Sequence, residues 1–202
     1  MSCSYIISDT HFGHRNICRY RPNFPDAKTH DETIVENILQ TCNKRDVLWL
    51  LGDCFFTQES VEYLKEMHKH IGYINFIIGN HDTDKPERVE ILKDCIGKNY
   101  FHKVGSVFKM GDFWLSHPPI HPCELYGRVN IHGHVHSKTI QDENFINVSC
   151  ENVRFRPINI DHLKDIRKRK KVLVHYGNYD HDCNEFIDGN GERCLICDRT
   201  KN

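Results

Sequence analysis

Early in the chain, short apolar runs stop abruptly at polar clusters. "SYIIS" (4–8), "DVLWLLG" (46–52) and "YINFIIGN" (73–80) each read as a buried strand. Between them, "THDETIVENILQTC" (29–42) repeats Ile34, Ile38 and Leu39 at helical spacing, with Thr29 as its N-cap. "QESVEYLKEMHKHI" (58–71) is amphipathic, with Val61, Leu64, Met67 and His68 on one side. After a further helical stretch, "KPERVEILKDCIG" (85–97), the period shortens. "YFHKV", "SVFKM", "DFWLSH", "RVNIHG", "NFINVS" and "VRFRPINI" follow as short strands parted by turn residues. The pattern predicts β-α-β units, then an antiparallel section, packed as sheets with helices outside. "DHLKDIRKRKKV" (161–172) reads as a basic closing helix. Beyond it periodicity vanishes, so the organisation expected is a domain over 1–172 and a Cys/His-rich tail over 173–202.

Composition narrows the class. The 202 residues are 39% apolar and 27% charged with a net charge of −1, ordinary for a soluble globular protein. That balance implies neither a nucleic-acid partner nor a membrane surface for the chain as a whole. There is no apolar run of about 18 residues, and "MSCSYIISDTHFGH" lacks the basic and apolar regions of a signal peptide. A cytoplasmic protein that keeps its N-terminus is expected. Cys3, Cys18, Cys42, Cys54, Cys95, Cys123 and Cys150 are scattered singly, as reduced, buried, small hydrophobes would be.

The polar clusters carry the candidate chemistry. Asp9 and His11 follow the first strand, Asp53 follows Gly52, and Asn80 and His81 follow Gly79. His117 ends "DFWLSH". In "VNIHGHVHSK" (129–138), His132, His134 and His136 alternate, so an extended backbone would aim all three imidazoles one way. A single strand-end Asp is often a turn residue. A set of such clusters on separate strands instead points to the carboxyl edge where α/β sheets hold ligands.

The ordered set D-x-H, GD, GNHD, H and GHxH resembles the calcineurin-like metallophosphoesterases. "SDTHFGHRNI", "HDETIVENI", "LLGD" and "NVSCENVRFRPINI" look like the small prokaryotic and phage-type phosphoesterases or phosphohydrolases of that family. The resemblance spans roughly residues 4–163. It implies a four-layer α/β/β/α sandwich, here with a small Cys/His-rich C-terminal appendage. It also implies two divalent metals, one on Asp9, His11 and His136 and the other on Asn80, His117 and His134, bridged by Asp53. Metals about 3.5–4 Å apart clamp a phosphate and hold a bridging hydroxide for in-line attack. His81 matches the family's catalytic histidine, an imidazolium that would protonate the leaving alkoxide. Neighbouring Asp82 could orient it or cap the following turn, and orientation is the working choice. His132 has no role in the pattern and reads as a histidine in or beside the sheet with a local hydrogen bond. Oxygen and nitrogen donors without thiolate suit Mn²⁺, Fe, Ni²⁺ or Zn²⁺ better than Ca²⁺, and Mn²⁺ is the working choice.

The implied activity is hydrolysis of a phosphate ester, diesters favoured over monoesters, on nucleotides or nucleic acid. His14 and Arg15, beside the first metal motif, are the candidate substrate contacts, whereas Arg19 and Arg21 read as solvated residues of an exposed loop. His121 in "HPPIHPCELYGR" (117–128) could touch substrate or face water. "RKRKK" (167–171), with Lys164, reads as a solvated helix end rather than a nucleic-acid patch. In the tail, Cys194 and Cys197 form C-x₂-C and, with Cys183 and His181 or His175, could complete a structural Zn²⁺ site. Two other classes remain open. One is a non-catalytic binding or scaffold protein on the same fold, whose mark would be a lost ligand such as Asn80 or His81. The other is a nucleic-acid-binding protein that uses the basic segment and tail.

Overall fold

The computed structural model describes residues 2–168, their side chains through Lys164. The tail ligands His181, Cys183, Cys194 and Cys197, with His175, lie outside the described residues, as do the side chains of the 167–171 run.

Five strands form the first sheet: β1 (Ser4–Ile7), β2 (Val47–Leu50), β3 (Tyr73–Ile77), β4 (Lys103–Gly105) and β9 (Ile158–Asn159). Their order is β4-β3-β2-β1-β9, parallel except that β9 runs antiparallel to β1. Helices α1 (Ala27–Thr41), α2 (Val61–His70) and α3 (Pro86–Gly97) fill the successive crossovers. Because each step moves the same way across the sheet, right-handed connections put all three helices on one face. The residue facing α1's first turn is Asp26, whose carboxylate accepts the Thr29 N–H at 2.7 Å. Asp26, not Thr29, is therefore the N-cap, and the helix begins earlier than the apolar spacing suggested. His68 also departs from expectation: it is exposed, its ring 5.4 Å from Tyr100, while Val61, Leu64 and Met67 are buried.

The second sheet contains β5 (Val107–Met110), β6 (Phe113–Ser116), β7 (Val129–His132) and β8 (Phe145–Asn147), in that order. The expectation of an antiparallel section is corrected here. Only β5–β6 is antiparallel; β6–β7 and β7–β8 are parallel. The segments joining the parallel strands are crossovers rather than tight hairpins, and parallel pairing requires such a return. "VRFRPINI" contributes only the two-residue β9, since Arg154 and Phe155 adopt left-handed backbone and turn the chain.

The sheets share one core. Trp49 of β2 meets Phe108 of β5 with ring centroids 5.2 Å apart, and Ile6, Phe76, Phe113, Leu115 and Ile131 are all buried in it. At one edge they join, where the Ser8 N–H donates to the Val148 carbonyl and the Cys150 N–H to the Ser8 carbonyl. A closing helix, α4 (Ile160–Lys168), contacts β1 and β9 and buries Leu163. The architecture is therefore mixed α/β, two parallel-rich sheets with helices. No described helix is long and apolar enough to cross a membrane. Of the scattered cysteines, all free, Cys42, Cys54, Cys95 and Cys150 are buried, Cys3 and Cys18 are half-buried, and Cys123 is exposed.

Candidate metal centre

Backbone conformation marks the site before any side chain is considered. Asp9, His11, Asp53, His134 and His136 have φ of 57°, 53°, 53°, 71° and 52°. Left-handed backbone is uncommon away from glycine and persists only where its surroundings impose it. Here the loops brace one another: the Asp9 N–H donates to the Gly52 carbonyl at 3.1 Å, and the His11 N–H to the Asp53 carbonyl at 3.0 Å.

This corrects the reading of the three alternating histidines. β7 ends at His132, which is fully buried with Nδ1 2.9 Å from the Gly133 carbonyl oxygen. Gly133 then presses against the first sheet so closely that a Cβ there would lie 1.9 Å from Ser8 Oγ. Beyond it the His134 N–H donates to Asp9 Oδ2 at 3.0 Å. His134 and His136 thus reach the site from left-handed turns, each beside a different group, and His132 is left inside the sheet.

Two groups of donors result. Asp9, His11 and His136 bring ligand atoms within 4.8 Å of one another, and so do Asp53, His117 and His134. Asn80 joins the second group, its Oδ1 3.1 Å from His117 Nε2 and 2.8 Å from His134 Nδ1. Asp53 Oδ2 lies 3.2 Å from His117 Nε2, while its Oδ1 accepts the His81 N–H at 2.8 Å.

The first group fits a cation on its own chemistry. Asp9 Oδ1 and His11 Nε2 are buried, lack hydrogen-bond partners, and stand 3.8 Å apart. Unsatisfied buried donors and acceptors are costly and demand a partner. Burial, with Arg21 and His136 nearby, pushes His11 down to about 4, so its ring is neutral and able to ligate. Burial opposes charge on Asp9, but His11, His117 and His136 hold it well below the usual carboxylate range. In the second group burial would lower His117, yet the hydrogen bond to Asp53, with Asp9 and the Leu51 carbonyl, raises it to about 9. Burial pushes the nearby Cys54 and Cys150 thiols well upward, so neither competes as a thiolate.

Asp82 does not orient His81. Its two oxygens accept the backbone N–H groups of Asp53 (2.8 Å), Cys54 (3.0 Å) and Gly79 (2.7 Å), locking the two glycine loops together. Burial and the nearby Asp53 push its carboxyl to about 6, against the pull of those N–H groups. The partner of His81 is Asp84, whose Oδ2 lies 2.8 Å from His81 Nδ1. Arg88 donates to both Asp84 oxygens at 2.9 and 3.1 Å and lies over the Phe56 ring at 3.9 Å. Asp84 follows only two positions after Asp82 in "HDTD", and adjacency in the chain does not decide which acid meets the ring.

His14 is half-buried, its ring 5.8 Å from His11 and 5.0 Å from Phe56, with Nδ1 buried and unpartnered. Arg15 is exposed and near Glu59, whose pKa is lowered first by its own backbone N–H and Thr57 and least by Arg15. Arg19 is exposed as expected, but Arg21 is not a loop residue in solvent: it is fully buried and paired with Glu151 at 2.9 Å. His121 is exposed and caps a short 3-10 helix at Pro122–Glu124.

Known proteins resemble the chain along most of its length. A family model described as calcineurin-like phosphoesterase matches residues 5–198. An uncharacterized protein of Methanocaldococcus jannaschii, MJ1445, is 28% identical over 180 residues, 84% of this chain and 93% of that protein. The Gene 66 protein of Mycobacterium phage L5 is 28% identical over 167 residues, covering 69% of this chain and 80% of that protein. Among solved structures, a protein of unknown function from Aquifex aeolicus, AQ665, superposes with a TM-score of 0.64 at 26% identity, over 82% of this chain and 100% of that one.

Proposed function

The chain belongs to the calcineurin-like phosphoesterase family, and from that membership we propose that it hydrolyses phosphate esters at its two donor groups, diesters in preference to monoesters. The carrying observation is the pair of partnerless buried donors, Asp9 Oδ1 and His11 Nε2, beside a second group that shares the same loops. In this reading Asp9, His11 and His136 hold one divalent cation, Asn80, His117 and His134 the other, and Asp53 serves both. Such ions would polarise the phosphoryl oxygens and lower the pKa of water at the site. Mn²⁺ is the working choice, with Fe, Ni²⁺ and Zn²⁺ compatible with the same donors.

The protein's own residues supply the rest. His81, its side chain 43% exposed, stands at the rim with Nδ1 turned to Asp84. Donation from Nδ1 to that carboxylate leaves Nε2 to give a proton to the leaving oxygen. His14, half-buried beside His11, would contact a phosphoryl oxygen from its open side; Arg15, more exposed, contributes a weaker screened attraction. Charge argues for a diester. The two buried or half-buried arginines near the groups, Arg21 and Arg88, are neutralised by Glu151 and Asp84, which suits a singly charged substrate better than a doubly charged one. Nucleotides and nucleic acid are the proposed substrate class, and the free cysteines suit a reducing cytoplasm.

Mn²⁺-dependent hydrolysis of bis(p-nitrophenyl) phosphate beside p-nitrophenyl phosphate tests the reading. Preference for the diester is expected, with hydrolysis abolished in Asp53→Asn and little changed in His81→Ala, because p-nitrophenolate leaves without a proton. No cleavage of either ester with Mn²⁺, Ni²⁺, Fe²⁺ or Zn²⁺ would favour a binding protein instead.

A further inference from the structure

Arg21 is the largest fully buried side chain among the described residues. A guanidinium out of water is tolerated only when its N–H groups find partners and its charge is matched. Here Nε donates to Glu151 Oε1 at 2.9 Å, one terminal nitrogen to the Asp9 carbonyl at 2.7 Å, and the other to His30 Nε2 at 2.7 Å. Phe155 covers the guanidinium at 5.4 Å, and Phe24 packs against both Phe155 and His30.

Proton directions along this chain follow from the donor at its centre. Arginine only donates, so His30 accepts at Nε2 and carries its hydrogen on Nδ1, which donates to Asp31 Oδ1 at 2.7 Å. The other Asp31 oxygen accepts the Gly13 N–H at 2.8 Å, two residues past His11. At the opposite end, Glu151 Oε1 also lies 3.1 Å from His136 Nδ1. A carboxylate only accepts, so Nδ1 carries the hydrogen and, in the neutral ring, Nε2 keeps the free lone pair. The His136 carbonyl is held separately by the side-chain amides of Asn147 and Asn152, at 2.7 and 2.6 Å.

The hydrogen bonds of this relay reach the Asp9 backbone, the loop after His11 and the His136 ring. The second group has other supports: His117 Nδ1 donates to the Leu51 carbonyl at 2.7 Å, and Asp82 locks the Asp53 and Gly79 loops. We infer that Arg21 and Glu151 are positioning residues for the first cation alone, presenting His136 Nε2 and Asp9 to it while leaving the second site untouched. This rests on reading the two groups as metal sites. Outer partners of ligating histidines change metal affinity by about 10–100-fold.

The test is calorimetric titration of metal-free full-length protein with Mn²⁺, read beside the electron paramagnetic resonance of the bound ions. Wild type is expected to bind two ions with a spin-coupled signal; failure to bind any would overturn the metal reading itself. Glu151→Gln should weaken one site by about 10–100-fold, leave the other at wild-type affinity, and give the signal of an isolated Mn²⁺. His117→Ala should produce the complementary pattern. Arg21→Met combined with Glu151→Gln removes both buried charges together and so separates positioning from folding. With a normal circular dichroism spectrum, it should still bind the first ion about 10–100-fold more weakly than wild type. Recovery of wild-type affinity in the double variant, equal weakening of both sites in Glu151→Gln, or two intact sites there would each overturn the inference.

Discussion

A Cβ built on Gly52 would stand 2.7 Å from the Gly79 Cα, so the loops after β2 and β3 meet backbone to backbone. The same contact leaves no room at Gly79, where a Cβ would fall 2.2 Å from Asp53 Oδ1 and 2.5 Å from its nitrogen. Gly79→Ala must displace the carboxylate or the loop. Overpacking of this kind costs about 1–3 kcal/mol, and a thermal melt should show that loss together with severely reduced hydrolysis. A native melt and unchanged turnover would mean that Asp53 does not need its observed position.

His81→Ala should lower kcat by roughly 10²–10⁴ if the ring is the proton donor. The loss should be largest for esters with a basic alkoxide leaving group and smallest for p-nitrophenyl esters, which leave without protonation. Asp84→Asn should show the same leaving-group dependence at smaller amplitude, because it disturbs only the 2.8 Å contact with Nδ1. Equal losses across leaving groups would remove His81 from that role.

His117 yields a pH prediction for the metal-free protein. Its folded value, about 9, exceeds an unfolded value near 6.5. The folded state therefore holds this proton more tightly, and the resulting stability is fully present below about pH 6.5 and lost as pH rises through 9. The stability difference between wild type and His117→Asn should shrink over that window, as followed by urea unfolding in EDTA. Metal at this site must displace the proton, so Mn²⁺ titration at pH 7 should release protons, seen as heats that vary with the buffer's ionisation enthalpy.

Metal removal should lower thermal stability strongly, since both groups join residues from the two sheets. A ligand at 100 times its Kd stabilises the native state by about 2.7 kcal/mol per site. The melting temperature should rise with Mn²⁺ in wild type, by less in Asp53→Asn, and return to the metal-free value on chelation. An unchanged melting temperature at saturating Mn²⁺ would contradict the two-sheet grouping.

Much of the site could be read along the chain because each donor follows an apolar run, and apolar runs betray buried strands. Asp9, Asp53, Asn80 and His117 could be located beyond strand ends for that reason. What periodicity could not convey was the left-handed backbone at His134 and His136, which broke the strand that the alternating histidines suggested. The brace was also hidden. Arg21 and Glu151 are separated by 130 positions, and an arginine among other basic and polar residues looks solvated until a carboxylate arrives from the far sheet. "HDE" at 30–32 and the glutamate in "SCENV" were the available signals, but neither carries a meaning without the other.

Neither donor group is drawn from one half of the chain. Asp9 and His11 wait for His136, and Asp53 and Asn80 wait for His117 and His134. A protein emerging from the ribosome amino end first therefore passes through most of its synthesis with aligned fragments of two sites and neither one complete. The last ligands and Glu151 appear within a short stretch, just before β9 closes beside β1. Either group could take up a cation only late in the life of the nascent chain, as the sandwich is completed.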